Sequence, residues 1–215
     1  PGRVEEALCH MARELRLWLV PGSLYERDGD RIYNTSPVIN PQGEVVARYR
    51  KMFPFLPYEK GVTAGSEFVV FDVPQVGRFG VSICYDMWFP ETTRTLAWMG
   101  AEAIIHPTLT NTIDREVELA IARANAAVNQ CYFVDINCAG RLGFGRSIVV
   151  GPDGSVIHQA GSGHEIIPVE LDLELVRRSR RRGLRGLGQV LKSFRDSEVR
   201  FPPYHDGHAN SAALR

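Results

Sequence analysis

The sequence predicts a layered α/β fold, and three observations carry that expectation. Short runs of β-branched and aromatic residues alternate with longer amphipathic stretches. Clusters of Gly, Pro, Asn and Asp separate them, with no internal repeat and no long linker. The length of 215 residues suits one domain with a sizeable core. Strands and helices that alternate in this way stack as sheets covered by helices.

The elements follow in order. Residues 3–17 read as a helix, with Val4, Leu8, Ala12 and Leu15 on one face. Glu5, Glu6 and Glu14 fall on its solvated side. Residues 17–20 read as a strand. Residues 32–39 and 44–50 flank the turn Asn40-Pro41-Gln42-Gly43 and make a hairpin. Residues 68–72 are a short strand, and 80–84 a buried apolar one. A helix over 90–99 follows, with Pro90 in its first turn and Glu91 at the positive end of its dipole. Residues 103–106 form a strand that leads to a polar loop over 108–112. Residues 115–128 are helical in composition. Strands over 131–136 and 147–150 precede the turn Gly151-Pro152-Asp153-Gly154. Residues 155–158 and 166–171 complete the β content.

The end of the chain differs in character. Residues 177–185 hold a dense basic run, for which nucleic-acid contact is one reading. No interleaved aromatics accompany it, so cations at the negative pole of a helix, or a solvated subunit-contact segment, are the favoured reading. Residues 186–189 and 201–204 read as an extended arm, and 205–215 as a frayed tail.

Composition excludes little beyond the extremes. The 25 basic and 25 acidic residues balance to a net charge of zero, so bulk charge does not argue for nucleic acid or membrane. No apolar run is long enough to span a bilayer, and the start lacks the basic and apolar regions of a signal peptide. Cys9, Cys84, Cys131 and Cys138 show no CxxC or zinc spacing, and the six histidines show none either. No metal site is expected. Reduced thiols in a cytoplasm are the simplest reading.

Cys84 carries the chemistry. It closes an apolar strand and precedes Tyr85-Asp86-Met87-Trp88-Phe89-Pro90-Glu91, which opens a helix. A thiol at such a turn lies near backbone N–H groups that stabilise a thiolate or an oxyanion. Taken alone, Cys84 reads more simply as a small buried residue. Lys51, at the end of an alternating stretch, and Glu59, eight residues on, change that balance. A lysine, a carboxylate and a cysteine together can activate a thiol and move its proton. His106 ends a strand where α/β sites form, and reads equally as a substrate contact or a strand-end residue. Asp86 and Glu91 are expected to fix the Cys84 turn, through hydrogen bonds or an ion pair with Arg94. Cys131 and Cys138 read as core residues.

These motifs resemble the nitrilase superfamily of carbon–nitrogen hydrolases. Tyr49-Arg50-Lys51, Glu59, Cys84-Tyr85-Asp86 and Phe89-Pro90-Glu91 carry the resemblance. Gly22-Ser23 with Glu26, Tyr33-Asn34-Thr35, Arg123-Ala124, Asn137 with Gly140, and Ser147 with Pro152-Asp153-Gly154 extend it. The resemblance implies a four-layer αββα sandwich, doubled by dimerisation into a homodimer or higher homo-oligomer. Residues 1–178 would be the hydrolase domain, and 179–215 an arm that contacts a second subunit.

It also implies a Glu–Lys–Cys triad. Cys84 is then the nucleophile and Lys51 the cation on the tetrahedral intermediate. Glu59 positions them, and the backbone N–H of Tyr85 completes the oxyanion hole with Lys51. The family's general-base glutamate lies farther upstream of the lysine than this chain extends. The first strand, first helix and base are therefore expected to be missing, and the 215 residues alone to be nearly inert. Tyr85-Asp86 after the cysteine is more like amidases than nitrilases, and Trp88 suggests an apolar pocket wall. Trp88, His106 and Thr108 are the expected substrate contacts. The implied substrate is a small linear amide, cleaved without a cofactor. An N-carbamoyl-amide hydrolase, or a catalytically silent binding protein, is the alternative.

Overall fold

A computed structural model describes residues 2–201 and Tyr204. The predicted tail at 205–215 lies outside them.

Two sheets form the centre. The first has three antiparallel strands in the order β1 (Leu24–Asp28), β2 (Arg31–Ile39) and β3 (Val45–Arg50). The second has six, in sequence order: β4 (Val69–Val73), β5 (Gly77–Val81), β6 (Ala103–Thr108), β7 (Tyr132–Asn137), β8 (Ile148–Val150) and β9 (Val156–Gln159). β5, β6 and β7 are parallel, and the remaining pairs are antiparallel.

Parity along the strands sorts the side chains into layers. Val69, Phe71 and Val81 meet Val38, Ala47 and Tyr49 between the two sheets. On the other face, Ile104, Phe133 and Ile148 pack under α2 (Pro90–Trp98) and α3 (Asp114–Asn129), through Leu96, Leu119, Ala122 and Ala126. α1 (Arg3–Leu15) lies against β2 and buries Ala12. The stack is helix, sheet, sheet, helix. It agrees with the four-layer arrangement that the resemblance implies.

The hairpin turn shows why α1 can sit so close. Asn40 Oδ1 accepts from the backbone N–H of Gln42 and Glu44 at 3.0 and 2.9 Å. Gly43 has φ +77°, and a Cβ there would stand 2.5 Å from the carbonyl oxygen of Cys9 in α1. Only glycine fits both demands.

Several elements differ from their sequence reading. Residues 17–20 form no strand but one isolated bridge, in which Leu19 and Ile39 exchange two backbone bonds of 2.9 Å. Pro21-Gly22 follow at once and stop the ladder. β1 is an edge strand that its sequence does not announce. It is polar and mostly exposed, and is tied down by Glu26, which accepts from Thr35 Oγ1 at 2.6 Å and pairs with Arg50 at 2.9 Å. The expected strand over 166–171 does not form. Ile166 is 93% exposed, so its apolar character finds no neighbour to pair with.

The basic run is the C-terminal half of α4 (Leu173–Arg182) with the residues after it. Its guanidiniums are engaged. Arg177 pairs with Glu102, Arg178 with Asp172, Arg181 with Glu174 and Arg185 with Asp153. Arg180 donates to the carbonyls of Gln130 and Ala101. Residue 179, where the arm is expected to start, is buried inside this helix. The arm is not extended throughout, because α5 (Val190–Asp196) interrupts it and packs on α3 and α4. No helix among the described residues is long and apolar enough to cross a membrane.

Candidate active site

Cys84 does not belong to a strand. β5 ends at Val81, and Cys84 opens a 3-10 helix over Cys84–Trp88. Its φ is +49°, in the left-handed region that a side chain with a Cβ rarely enters. Strained backbone of this kind persists only where the surroundings over-determine it.

Asp86 is the main restraint. Its carboxylate is fully buried. It accepts from Tyr49 Oη at 2.6 Å, from the N–H of Ile83 at 2.9 Å and from the N–H of Phe53 at 3.0 Å. Those donors come from β3, from the residue before Cys84 and from the segment after Lys51. Burial pushes the Asp86 carboxyl up to about 6, and the three hydrogen bonds oppose that rise. Burial and the Asp86 charge together hold the Tyr49 phenol protonated, well above its ordinary value.

Lys51 and Glu59 meet. Lys51 Nζ lies 2.5 Å from Glu59 Oε2, with the two side chains 2% and 7% exposed. Glu59 also accepts from Asn34 Nδ2 at 2.7 Å and from the N–H of Phe55 at 2.6 Å. Burial raises its carboxyl, but Lys51, the Phe55 N–H and Asn34 outweigh it, and the net shift is downward. Glu59 is therefore a committed anion that aims Lys51 and holds the loop after it. Both its oxygens are taken.

Aromatic contacts seal that loop to the Cys84 turn. Phe53 stacks on Phe89 with centroids 3.6 Å apart, and Phe55 approaches Tyr85 at 4.9 Å. Tyr85 meets Phe89 edge-on at 5.2 Å and Trp88 at 6.4 Å. Trp88 leans on the helix-side core, one turn beyond Cys84.

The other expected site residues lie deeper. His106 is fully buried, with Nδ1 2.7 Å from Ser82 Oγ. Thr108 is buried at the end of β6, and its hydroxyl is 3.4 Å from that of Thr110, which donates to Glu118 at 2.9 Å. The expected Glu91–Arg94 pair is not made. Glu91 accepts from Tyr204 Oη at 3.3 Å, and the Arg94 guanidinium sits 5.1 Å above the Phe194 ring. Cys131 is fully buried, and burial pushes its thiol up to about 12. Cys138 is only half-buried, in the loop after β7. No group of three or more His, Cys, Asp and Glu converges to hold a metal among the described residues.

Sequence reasoning picked out Cys84, Lys51, Glu59 and Asp86. It missed the parts of Tyr49, Asn34 and Ser82 as supports. Each lies in a β-rich stretch, and partners 24 or more residues away leave no local signal.

The site thus combines a strained cysteine turn from one sheet with a buried Lys–Glu pair from the other. The chain belongs to the carbon–nitrogen hydrolase family, whose model matches residues 1–181, and so to the nitrilase superfamily. It is 34% identical over 200 residues to the omega-amidase NIT3 of Saccharomyces cerevisiae, covering 82% of this chain and 66% of that protein. It is 31% identical to human omega-amidase NIT2, over 81% of this chain and 68% of that one. The chain thus spans about two thirds of these relatives. Yeast Nit3, described as a member of branch 10 of the nitrilase superfamily, superposes with a TM-score of 0.77 at 35% identity, over 84% of this chain and 69% of its own. An amidase from Nesterenkonia sp. AN1, carrying the acetamide moiety of fluoroacetamide on its active-site cysteine, superposes with a TM-score of 0.69 at 28% identity, over 74% of this chain and 62% of its own.

Proposed function

We propose that this chain belongs to an amidase that uses the Cys84 thiol to cleave the non-peptide C–N bond of a small linear amide. The observation that carries the reading is the convergence of a strained Cys84 turn with a buried Lys51–Glu59 pair, joined by the bond from Tyr49 to Asp86. Relatives that are omega-amidases and an amidase with a covalently modified cysteine support it.

In this reading the Cys84 thiolate adds to the amide carbonyl carbon. Lys51 and the backbone N–H of Tyr85 stabilise the oxyanion, with Tyr85 in the first helical turn, where N–H groups have no intrahelical acceptor. The tetrahedral intermediate collapses, the amine leaves with a proton, and a thioester to Cys84 remains. Water then adds to the thioester and the acid departs, regenerating the thiol. Trp88 and Thr108 face the substrate.

Glu59 is not the base, because three donors occupy its carboxylate. Asp86 is equally committed. The proton is therefore taken by another carboxylate. The hydrolase includes α4, and the segment after it contacts a second copy of the chain. The protein works in the cytoplasm, where its thiol stays reduced.

The test replaces each cysteine by alanine in turn, with ammonia release and intact mass followed on short aliphatic amides. Only Cys84→Ala should abolish the acyl adduct. An adduct that survives Cys84→Ala would show that another residue is the nucleophile. Capture of carbamoyl amides in preference to plain amides would favour the alternative substrate class.

A further inference from the structure

Asp86 holds the Cys84 turn through the Tyr49 hydroxyl and the N–H groups of Ile83 and Phe53, and a second group reaches the chain one residue further back. Ser82, two residues before Cys84, is fully buried. Its N–H donates to the carbonyl of Ile105 at 3.2 Å, and its hydroxyl lies 2.7 Å from His106 Nδ1. His106 is also fully buried, with its ring 5.2 Å from that of Phe133. It shares a register position with Asp135 on β7. From α3, Arg115 reaches Asp135 at 2.8 Å and Glu118 at 3.1 Å. His106 Nε2 finds no hydrogen-bond partner among the described residues, and Arg115 and Asp135 form a buried ion pair.

Burial, then the charges of Arg115 and Lys51, push the His106 imidazole down to about 3, against the backbone of Cys84 and Ser82. The ring is therefore neutral in ordinary assay conditions. A neutral imidazole offers one donor and one acceptor, which suits a hydroxyl on Nδ1. A histidine that served only to fill the core would need neither the hydroxyl nor its place against the nucleophile's backbone.

We propose that His106 is a positioning residue that, through Nδ1 and Ser82, fixes the backbone entering Cys84 and so aims its thiol. It touches no substrate, and its full burial replaces the contact expected from sequence. The proposal rests on Cys84 being the nucleophile. It adds a second restraint on the strained φ, independent of Asp86. Small displacements of a reacting atom cost large factors in rate, so losing this restraint should show in the thiol itself.

The experiment measures alkylation of Cys84 by iodoacetamide in the 215-residue chain, by peptide mass, beside thermal melting. His106→Asn keeps a polar atom near the Nδ1 position and should react within about threefold of the parent. His106→Gln, which reaches toward the Nε2 position instead, and His106→Ala should each react at least about tenfold more slowly. Ser82→Ala should match them, and the double variant Ser82→Ala/His106→Ala should lose nothing further. In amide hydrolysis the same variants should lower kcat and leave KM within about twofold. Should the His106 variants fail to fold, Ser82→Ala decides, because it removes only a hydroxyl. A parent-like alkylation rate in Ser82→Ala, or equal rescue by Asn and Gln, overturns the proposal. Alkylation needs no turnover, so failure of the hydrolase reading would appear separately, as an alkylable Cys84 with no amide product.

Discussion

Replacing Lys51 by methionine separates what the buried pair does for the fold from what it does for the reaction. The side chain is 2% exposed and its Nζ is 2.5 Å from Glu59. Methionine keeps most of the volume, so the loss is electrostatic. Breaking a buried pair by removing one partner costs about 3–5 kcal/mol. Glu59 keeps its bonds from Asn34 and the Phe55 N–H, which places the cost near the lower end, about 3 kcal/mol. Turnover should fall by about 10²–10³, equivalent to about 2.7–4 kcal/mol, the effect of losing one oxyanion donor. In Lys51→Met/Glu59→Gln the orphaned charge is gone, so part of the stability should return while the rate stays low.

The pH dependence has a definite sign. Glu59 sits below its ordinary value, so the stability it contributes is present above that value and lost as pH falls through the folded one. Without Lys51, burial raises the group instead, and its contribution is lost as pH rises. The gap in Tm between parent and Lys51→Met should therefore narrow on going from about pH 7 to about pH 4. Steady-state kinetics and thermal melting across pH test both halves. A kcat/KM within about threefold of the parent would remove Lys51 from the reaction. A gap that widens in acid would mean that the ammonium does not hold Glu59 ionised.

Three further outcomes are expected. Asp86, raised to about 6, contributes stability that is present in acid and lost as pH rises through that value, so Asp86→Asn should flatten the Tm profile between about pH 4 and pH 6 relative to the parent. Cys131→Ala removes a fully buried sulfur next to Phe133 and should lower stability by about 1–2 kcal/mol with little change in turnover, read by denaturant melts and kinetics. Glu59→Gln loosens the hold on Lys51 and should lower turnover by about tenfold or more, read by steady-state kinetics beside thermal melting; parent-like turnover would show that Glu59 does not position the ammonium.

Legibility in the sequence followed the range of the forces involved. The hairpin of β2 and β3 was readable because its turn chemistry and its alternation are both local. The helices α2 and α3 were readable from apolar periodicity and from Pro90. β1 was not, because an edge strand held by Glu26, Thr35 and Arg50 carries no hydrophobic pattern. Cys84 was placed at a strand exit correctly, yet the strand stops three residues earlier. The left-handed φ of Cys84 could not be foreseen, since no glycine marks it and its cause lies in Tyr49, Phe53 and Ser82.

That last failure explains why the site has the form it does. Lys51 follows the last strand of the three-stranded sheet, and Cys84 follows the second strand of the six-stranded one. Neither sheet contains a site. Only when Val38 and Tyr49 pack on Val81 and Ile83 do the two strand ends come level. The Tyr49 hydroxyl then reaches Asp86 across the junction, and the Phe53 N–H does the same from the loop after Lys51. A carboxylate buried at this point would be costly if left unpaired, so the stacking of the sheets and the closing of the Cys84 turn stabilise one another. The strain at Cys84 is thus supported by the same contacts that bring Lys51 toward it. A variant that weakens the junction, such as Tyr49→Phe, should relax the turn and slow alkylation of Cys84 while the helix-side core keeps its far-ultraviolet dichroism. Unchanged Cys84 reactivity in a folded Tyr49→Phe protein would show that the turn holds its shape without the second sheet.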